Sequence, residues 1–104
     1  MAFEIDFPHS LPIEDARARI HALGDYLQNK HGINVTWDGD DRANIRGKYM
    51  VVSIEGAVDV GEKSVRFSGK DPGMLWRGKA KDYLTGKLKK YLDPSTAVAD
   101  LPTR

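Results

Sequence analysis

The sequence predicts a two-layer α+β domain. An antiparallel β-sheet of about five strands carries two helices on one face, in the order β-α-β-β-β-β-α. Three observations lead there. Two stretches place apolar residues at helical spacing, and five alternate apolar and polar residues with period two. Each predicted strand has only one apolar face, so the sheet packs on one side and both helices must cover that side.

Phe3, Ile5 and Phe7 alternate with Glu4 and Asp6, and Pro8 ends this first strand. Ser10 reads as an N-cap, ahead of Pro12 and the acidic pair Glu14 and Asp15. Ile13, Ala16, Ile20, Leu23 and Leu27 then form one core-facing stripe. Arg17, Arg19, Asp25 and Gln28 fall on the other faces, and Gly32 reads as the C-cap.

Ile33, Val35 and Trp37 make a second strand, and Asp38-Gly39-Asp40-Asp41 a hairpin turn in which Gly39 supplies a positive φ. A third strand runs from Arg42 to Lys48, interrupted by Gly47. From Tyr49 to Val60 the alternation is long, and Gly56, in the apolar register, reads as a bulge or bend. Val65 and Phe67 form the fifth strand. The last helix spans Asp71 to Leu92, with Asp71 as N-cap and Pro72 at its first position. Its apolar stripe, Trp76, Ala80, Tyr83, Leu84, Leu88, Tyr91 and Leu92, is expected in the core. A right-handed crossover followed by a meander gives the strand order 1-5-4-3-2, which resembles a reduced helix-grip arrangement. Residues 1–92 form the single domain, and 93–104, without periodicity, a mobile C-terminal tail.

Of 104 residues, 40% are hydrophobic and 30% charged, which suits a globular domain and not a disordered chain. There is no cysteine, hence no disulfide, thiolate metal site or cysteine nucleophile. The N-terminal stretch does not read as a secretory signal. No apolar run approaches the ~20 residues that span a bilayer, so a cytoplasmic protein is expected. The net charge of +1 hides a segregation. Residues 1–62 hold 6 Lys/Arg and 11 Asp/Glu, residues 63–104 hold 10 and 4. The basic half invites an acidic partner, or gives a dipolar molecule.

No catalytic constellation emerges, and the chain reads as a non-enzyme without a cofactor. His21 and His31, ten residues apart on a helix, are about 15 Å apart along its axis and cannot share a metal. His9 beside Ser10 lacks an orienting third group, so capping is the better account. Asp38, Asp40 and Asp41 lack the spacing of a calcium loop. Glu4 and Asp6 can pair with Arg66 if the first and fifth strands are neighbours. The candidate binding residues are the cations of the last helix: Arg77, Lys79, Lys81, Lys87, Lys89 and Lys90. They form either a solvated face or a surface for phosphates or an acidic partner.

Several stretches together resemble the polyhydroxyalkanoic acid system proteins, also called the granule-region family. They are the strand leading into His9-Ser10-Leu11, Ala16-Arg17-Ala18-Arg19 in the helix after it, the turn Trp37-Asp38-Gly39-Asp40, and Glu55-Gly56-Ala57-Val58-Asp59-Val60 followed by Val65 and Phe67. Gly73-Met74-Leu75 then opens a basic terminal helix. The likeness spans about residues 3–92. Residues 42–53 depart from the pattern, and the final helix is richer in lysine. The resemblance implies a bacterial accessory protein near polyester synthesis, whose partners are granule proteins or the polymer surface, and it brings no catalytic residues. His9, Trp37 and Gly56 match its motif positions, each read as structural. Three readings stand: a non-enzymatic accessory or binding protein of the polyhydroxyalkanoate system, an anion-binding module (nucleic acid first) using the basic helix, and a small-ligand carrier or enzyme with a helix-grip-like pocket. A homodimer through the open sheet face, with Tyr49 and Val51 on it, is a further expectation.

Overall fold

The structure, a computed structural model, describes residues 2–49 and 52–104. Its elements are β1 (Ala2–Pro8), α1 (Ile13–His31), β2 (Asn34–Asp38), β3 (Arg42–Tyr49), β4 (Val52–Val60), β5 (Ser64–Lys70), α2 (Met74–Tyr91) and a short 3-10 turn at Val98–Asp100. All strand pairs are antiparallel, in the order β1-β5-β4-β3-β2. Both the fold class and the strand order agree with the sequence expectation.

The alternation decides the layers. Phe3, Ile5, Ile45, Val58, Val60, Val65 and Phe67 lie on the inner face and are buried against Ala16, Ile20, Leu23 and Leu27 of α1. The outer face is polar. Across it the register sets Asp6, Arg66, Asp59, Arg42 and Asp38 side by side, one from each strand, so that every neighbour has the opposite sign. Asp6 does stand opposite Arg66. Both Arg42–Asp59 hydrogen bonds are formed, at 2.9 and 3.1 Å. Of the expected dimer contact, Val51 lies outside the described residues.

Three local expectations are corrected. Gly56 makes no bulge: β4 keeps a continuous register, with Gly56 opposite Ile45 on one side and Gly69 on the other. Glycine is needed there because a Cβ would stand 2.7 Å from the Ser68 carbonyl oxygen and 3.0 Å from the Phe67 ring. Gly47 likewise leaves β3 unbroken, and its missing Cβ lets the Ile33 backbone approach. Ser10 is not the cap of α1, which starts at Ile13 after Pro12 with no side-chain cap. His9 does that connection's work instead. Its Nδ1 accepts the Leu11 N–H at 3.1 Å while Nε2 donates to the Gly61 carbonyl at 2.9 Å, tying the β1–α1 link to the β4–β5 turn.

At its C-terminal end α1 stops in the expected way. Gly32 takes φ 68° and its N–H returns to the last turn of the helix. Gly39 takes φ 75° in the β2–β3 hairpin, as the Asp-Gly pair predicts. Arg17 bridges from α1 to Asp41 of that hairpin with two hydrogen bonds, one of 3.1 Å. His21 stacks on Trp37, the rings 3.6 Å apart, and joins α1 to β2.

The segment after α2, which the sequence predicts to be a mobile tail, is held against α1. Its anchor is Arg19, which the sequence analysis places on an outer face and the structure buries. Its guanidinium donates to the carbonyls of Tyr91 (3.1 Å), Asp93 (2.7 Å) and Thr96 (2.6 Å), with Asp15 as its carboxylate partner at 3.0 Å. Leu101 is buried, and the Tyr91 hydroxyl donates to the Pro102 carbonyl.

Candidate functional site

The last helix begins later than its sequence suggests. Asp71 and Pro72 precede it, and Gly73, at φ 106°, occupies the N-cap position. The Asp71 carboxylate accepts the Gly73 N–H at 2.8 Å and an Arg77 N–H at 2.5 Å. The Arg77 bond first, then that of Gly73, holds the Asp71 carboxyl below the usual carboxylate range. Asp71 thus fixes the turn that launches α2 and starts no helix itself.

The apolar stripe of α2 divides. Leu88, Tyr91 and, just past the helix end, Leu92 are buried, as expected. Trp76, Ala80, Tyr83 and Leu84, expected in the core, are only half-buried. They roof an apolar cleft of about 380 Å³, within the range of small-molecule sites. Its floor comes from Phe3, Ile33, Ile45, Ile54 and Phe67, and Leu27 of α1 also lines it. The glycines explain the floor's depth. Gly56 and Gly69 face each other across β4 and β5, with Phe3 opposite Gly69. The Phe67 ring lies within 3.0 Å of where a Gly56 Cβ would stand, so it lies close on the sheet and leaves room above. Met74 and Leu75, in the first turn of α2, are 85% and 86% exposed beside this cleft.

The six cations predicted as a binding surface do not share one environment. Arg77 is paired with Asp71. Lys79 lines the cleft, its ammonium 5.4 Å from the Trp76 ring centroid. Lys87 lies on the α1 side, 4.4 Å from the Tyr26 ring and 5.6 Å from that of Tyr83. Lys81, Lys89 and Lys90 are exposed. At about 100° per residue these positions point around much of the helix circumference. The arrangement missing from the sequence reading is a row that joins two of these cations to a tyrosine. Lys79, Tyr83 and Lys87 follow at intervals of four and so share one edge of α2.

Tyr83 ties that edge to α1, its hydroxyl 3.1 Å from His31 Nε2. Burial chiefly, then the charges of Lys30 and Lys87, holds the His31 pKa below the ordinary imidazole value. The cleft thus has an apolar body, a basic and phenolic edge on α2, and Glu55 of β4 and Lys70 of β5 in its lining. Among the described residues no group of three or more His, Cys, Asp or Glu is placed to hold a metal, and no helix is long and apolar enough to cross a membrane.

A family model described as "Putative polyhydroxyalkanoic acid system protein" matches residues 3–95. Searches of curated proteins and of solved structures return no match.

Proposed function

The chain belongs to the polyhydroxyalkanoic acid system family, and we propose that within it the protein is a non-enzymatic accessory protein that docks on the surface of cytoplasmic polyester granules. One observation carries the reading. The first turn of α2 presents Met74 and Leu75 to solvent beside an apolar cleft. Two adjacent, almost fully exposed large apolar side chains mark a contact surface, since they contribute nothing to the core. An aliphatic polyester is the apolar surface that the family's setting supplies.

Covering one such side chain contributes about 1.5–3 kcal/mol, so the pair supplies about 3–6 kcal/mol toward the roughly 8 kcal/mol of a micromolar contact. Co-sedimentation with amorphous polyhydroxyalkanoate particles tests this. The wild-type protein is expected in the pellet. The Met74→Glu/Leu75→Glu variant, whose changes lie outside the core, is expected to lose binding by at least about tenfold with its melting temperature little changed. A wild-type protein that stays in the supernatant, or a variant that pellets equally, overturns the reading.

A further inference from the structure

We infer that the cleft beneath α2 is a binding site for a single aliphatic carboxylate, with the chain inside and the acid group at the Lys79–Tyr83 edge. The body of the cleft is built for a hydrocarbon. Phe3, Ile33, Ile45, Ile54, Phe67 and Leu84 surround it. A volume of about 380 Å³ admits one small ligand and excludes a folded partner. The site is also open on one side, because Trp76, Ala80 and Tyr83 above it are only half-buried.

The edge selects the head group. Lys79 and Tyr83, one helical turn apart, place an ammonium and a hydroxyl on the same side of the cleft. Lys87 follows one turn further, over the Tyr83 ring. His31 Nε2 lies 3.1 Å from the Tyr83 hydroxyl, and in the Nε2-protonated tautomer it donates to that oxygen and leaves the hydroxyl proton for the ligand. A carboxylate accepts hydrogen bonds from both donor types, and its bond to an ammonium is charge-assisted. Glu55 on β4 and Lys70 on β5 also line the cleft, and Lys79 is the lining cation on α2. An acid with its charged end at Lys79 meets the element that brings no carboxylate to the lining. A hydroxyalkanoic acid, the unit named in the family's description, belongs to this ligand class. The site is distinct from the granule contact, which uses Met74 and Leu75, neither of which lines the cleft.

Calorimetry and Trp76 fluorescence with straight-chain carboxylates of six to twelve carbons, and with the matching alcohols, test the assignment. Affinity is expected to rise about fourfold per methylene and to level off once the cleft is full. Carboxylates are expected to bind more tightly than alcohols. Lys79→Ala, at an exposed position, is expected to weaken carboxylate binding at least about tenfold, the low end of the range of one charge-assisted bond, and to leave the alcohols unchanged. Ala80→Phe, which fills the cleft, is expected to abolish both, with circular dichroism confirming its fold. Met74→Glu/Leu75→Glu is expected to keep carboxylate binding, so loss of granule docking and loss of the ligand are read separately. No saturable binding by any carboxylate overturns the inference. So does equal binding of acid and alcohol that Lys79→Ala does not alter, or undiminished binding by folded Ala80→Phe.

Discussion

The two ends of α2 are made of similar residues and do opposite things. At the C-terminal end Leu88, Tyr91 and Leu92 are buried, and Arg19 collects three carbonyls from the chain that follows. At the N-terminal end Met74 and Leu75 face solvent, and Trp76 and Tyr83 stand over an open cleft. Gly78 and Gly86 sit within the continuous helix with no packing reason, since a Cβ at either would meet nothing within 4 Å. One end is fastened by satisfied buried groups. The other is held by the Asp71 turn, the Tyr83–His31 bond and half-buried aromatics. The groups that stabilise the fold and those proposed to bind are thereby separated along a single helix, and changes at the two ends should affect different measurements.

Arg19→Ala should have the largest effect. It removes the partner of the Tyr91, Asp93 and Thr96 carbonyls and frees the chain after α2. Breaking a buried charged network of this kind costs about 3–5 kcal/mol. For a domain of this size that is a fall in melting temperature of roughly 15 °C or more. Leu75→Ala, by contrast, should stay within about 0.5 kcal/mol of wild type by urea denaturation. A small loss in Arg19→Ala would remove the contrast between the ends.

Tyr91→Phe should come next, at about 1–1.5 kcal/mol, by loss of the hydroxyl's bond to the Pro102 carbonyl. It carries a signature in pH. Burial first, then the neighbouring Tyr26, pushes the Tyr91 pKa up to about 12. The phenol's folded pKa lies above its unfolded value near 10, so the unfolded state gives up its proton first. Stability is therefore complete below pH 10 and falls between pH 10 and about 12. Alkaline denaturation followed by phenolate absorbance should show this loss in wild type and a shallower one in Tyr91→Phe.

The contrast was only half legible in the sequence. Periodicity located both helices and all five strands, because alternation and the three-four spacing are consequences of one-sided burial. It also placed Leu88 and Tyr91 correctly. It could not separate them from Trp76 and Tyr83, which have the same spacing and differ only in what lies beneath them. What lies beneath depends on the Gly56–Gly69 pairing across two strands, which no local pattern encodes. Arg19 did leave a signal: it sits three residues after Ala16 and four before Leu23, inside the apolar stripe. A cation in that position implies acceptors brought from elsewhere, and here they are backbone carbonyls, invisible in residue identities. The same applies to His9, whose two partners are backbone groups.

Gly78→Ala tests the loosely held end directly, and Gly86→Ala, nearer the buried Leu88, is its counterpart. Each should stabilise the protein by about 0.5–1 kcal/mol, since alanine restricts the unfolded chain and meets no obstacle in the helix. Hydrogen exchange of the α2 amides before Leu84 should slow in Gly78→Ala. Unchanged exchange there would mean that the N-terminal half of α2 is already as firmly held as the C-terminal half.

The smallest effect belongs to His31, at the end of α1, which meets Tyr83 in the middle of α2. Its folded pKa lies below the ordinary imidazole value of 6.5, because burial, then Lys30 and Lys87, disfavour the charged ring. The unfolded chain therefore binds the proton more readily. Full stability is present above pH 6.5 and is lost as pH falls through the folded pKa, levelling off below it. Melting temperatures from pH 7.5 to 5 should decline more steeply in wild type than in His31→Gln, and the difference between the two curves isolates this group. Salt discriminates between the causes. Charge repulsion from the lysines is screened at high ionic strength, whereas the loss of hydration on burial is not. Since burial is the larger cause, most of the difference should persist in 1 M salt. A difference that vanished there would make the α1–α2 junction a solvated contact, and the loose end of the helix would then extend past Tyr83 to Lys87.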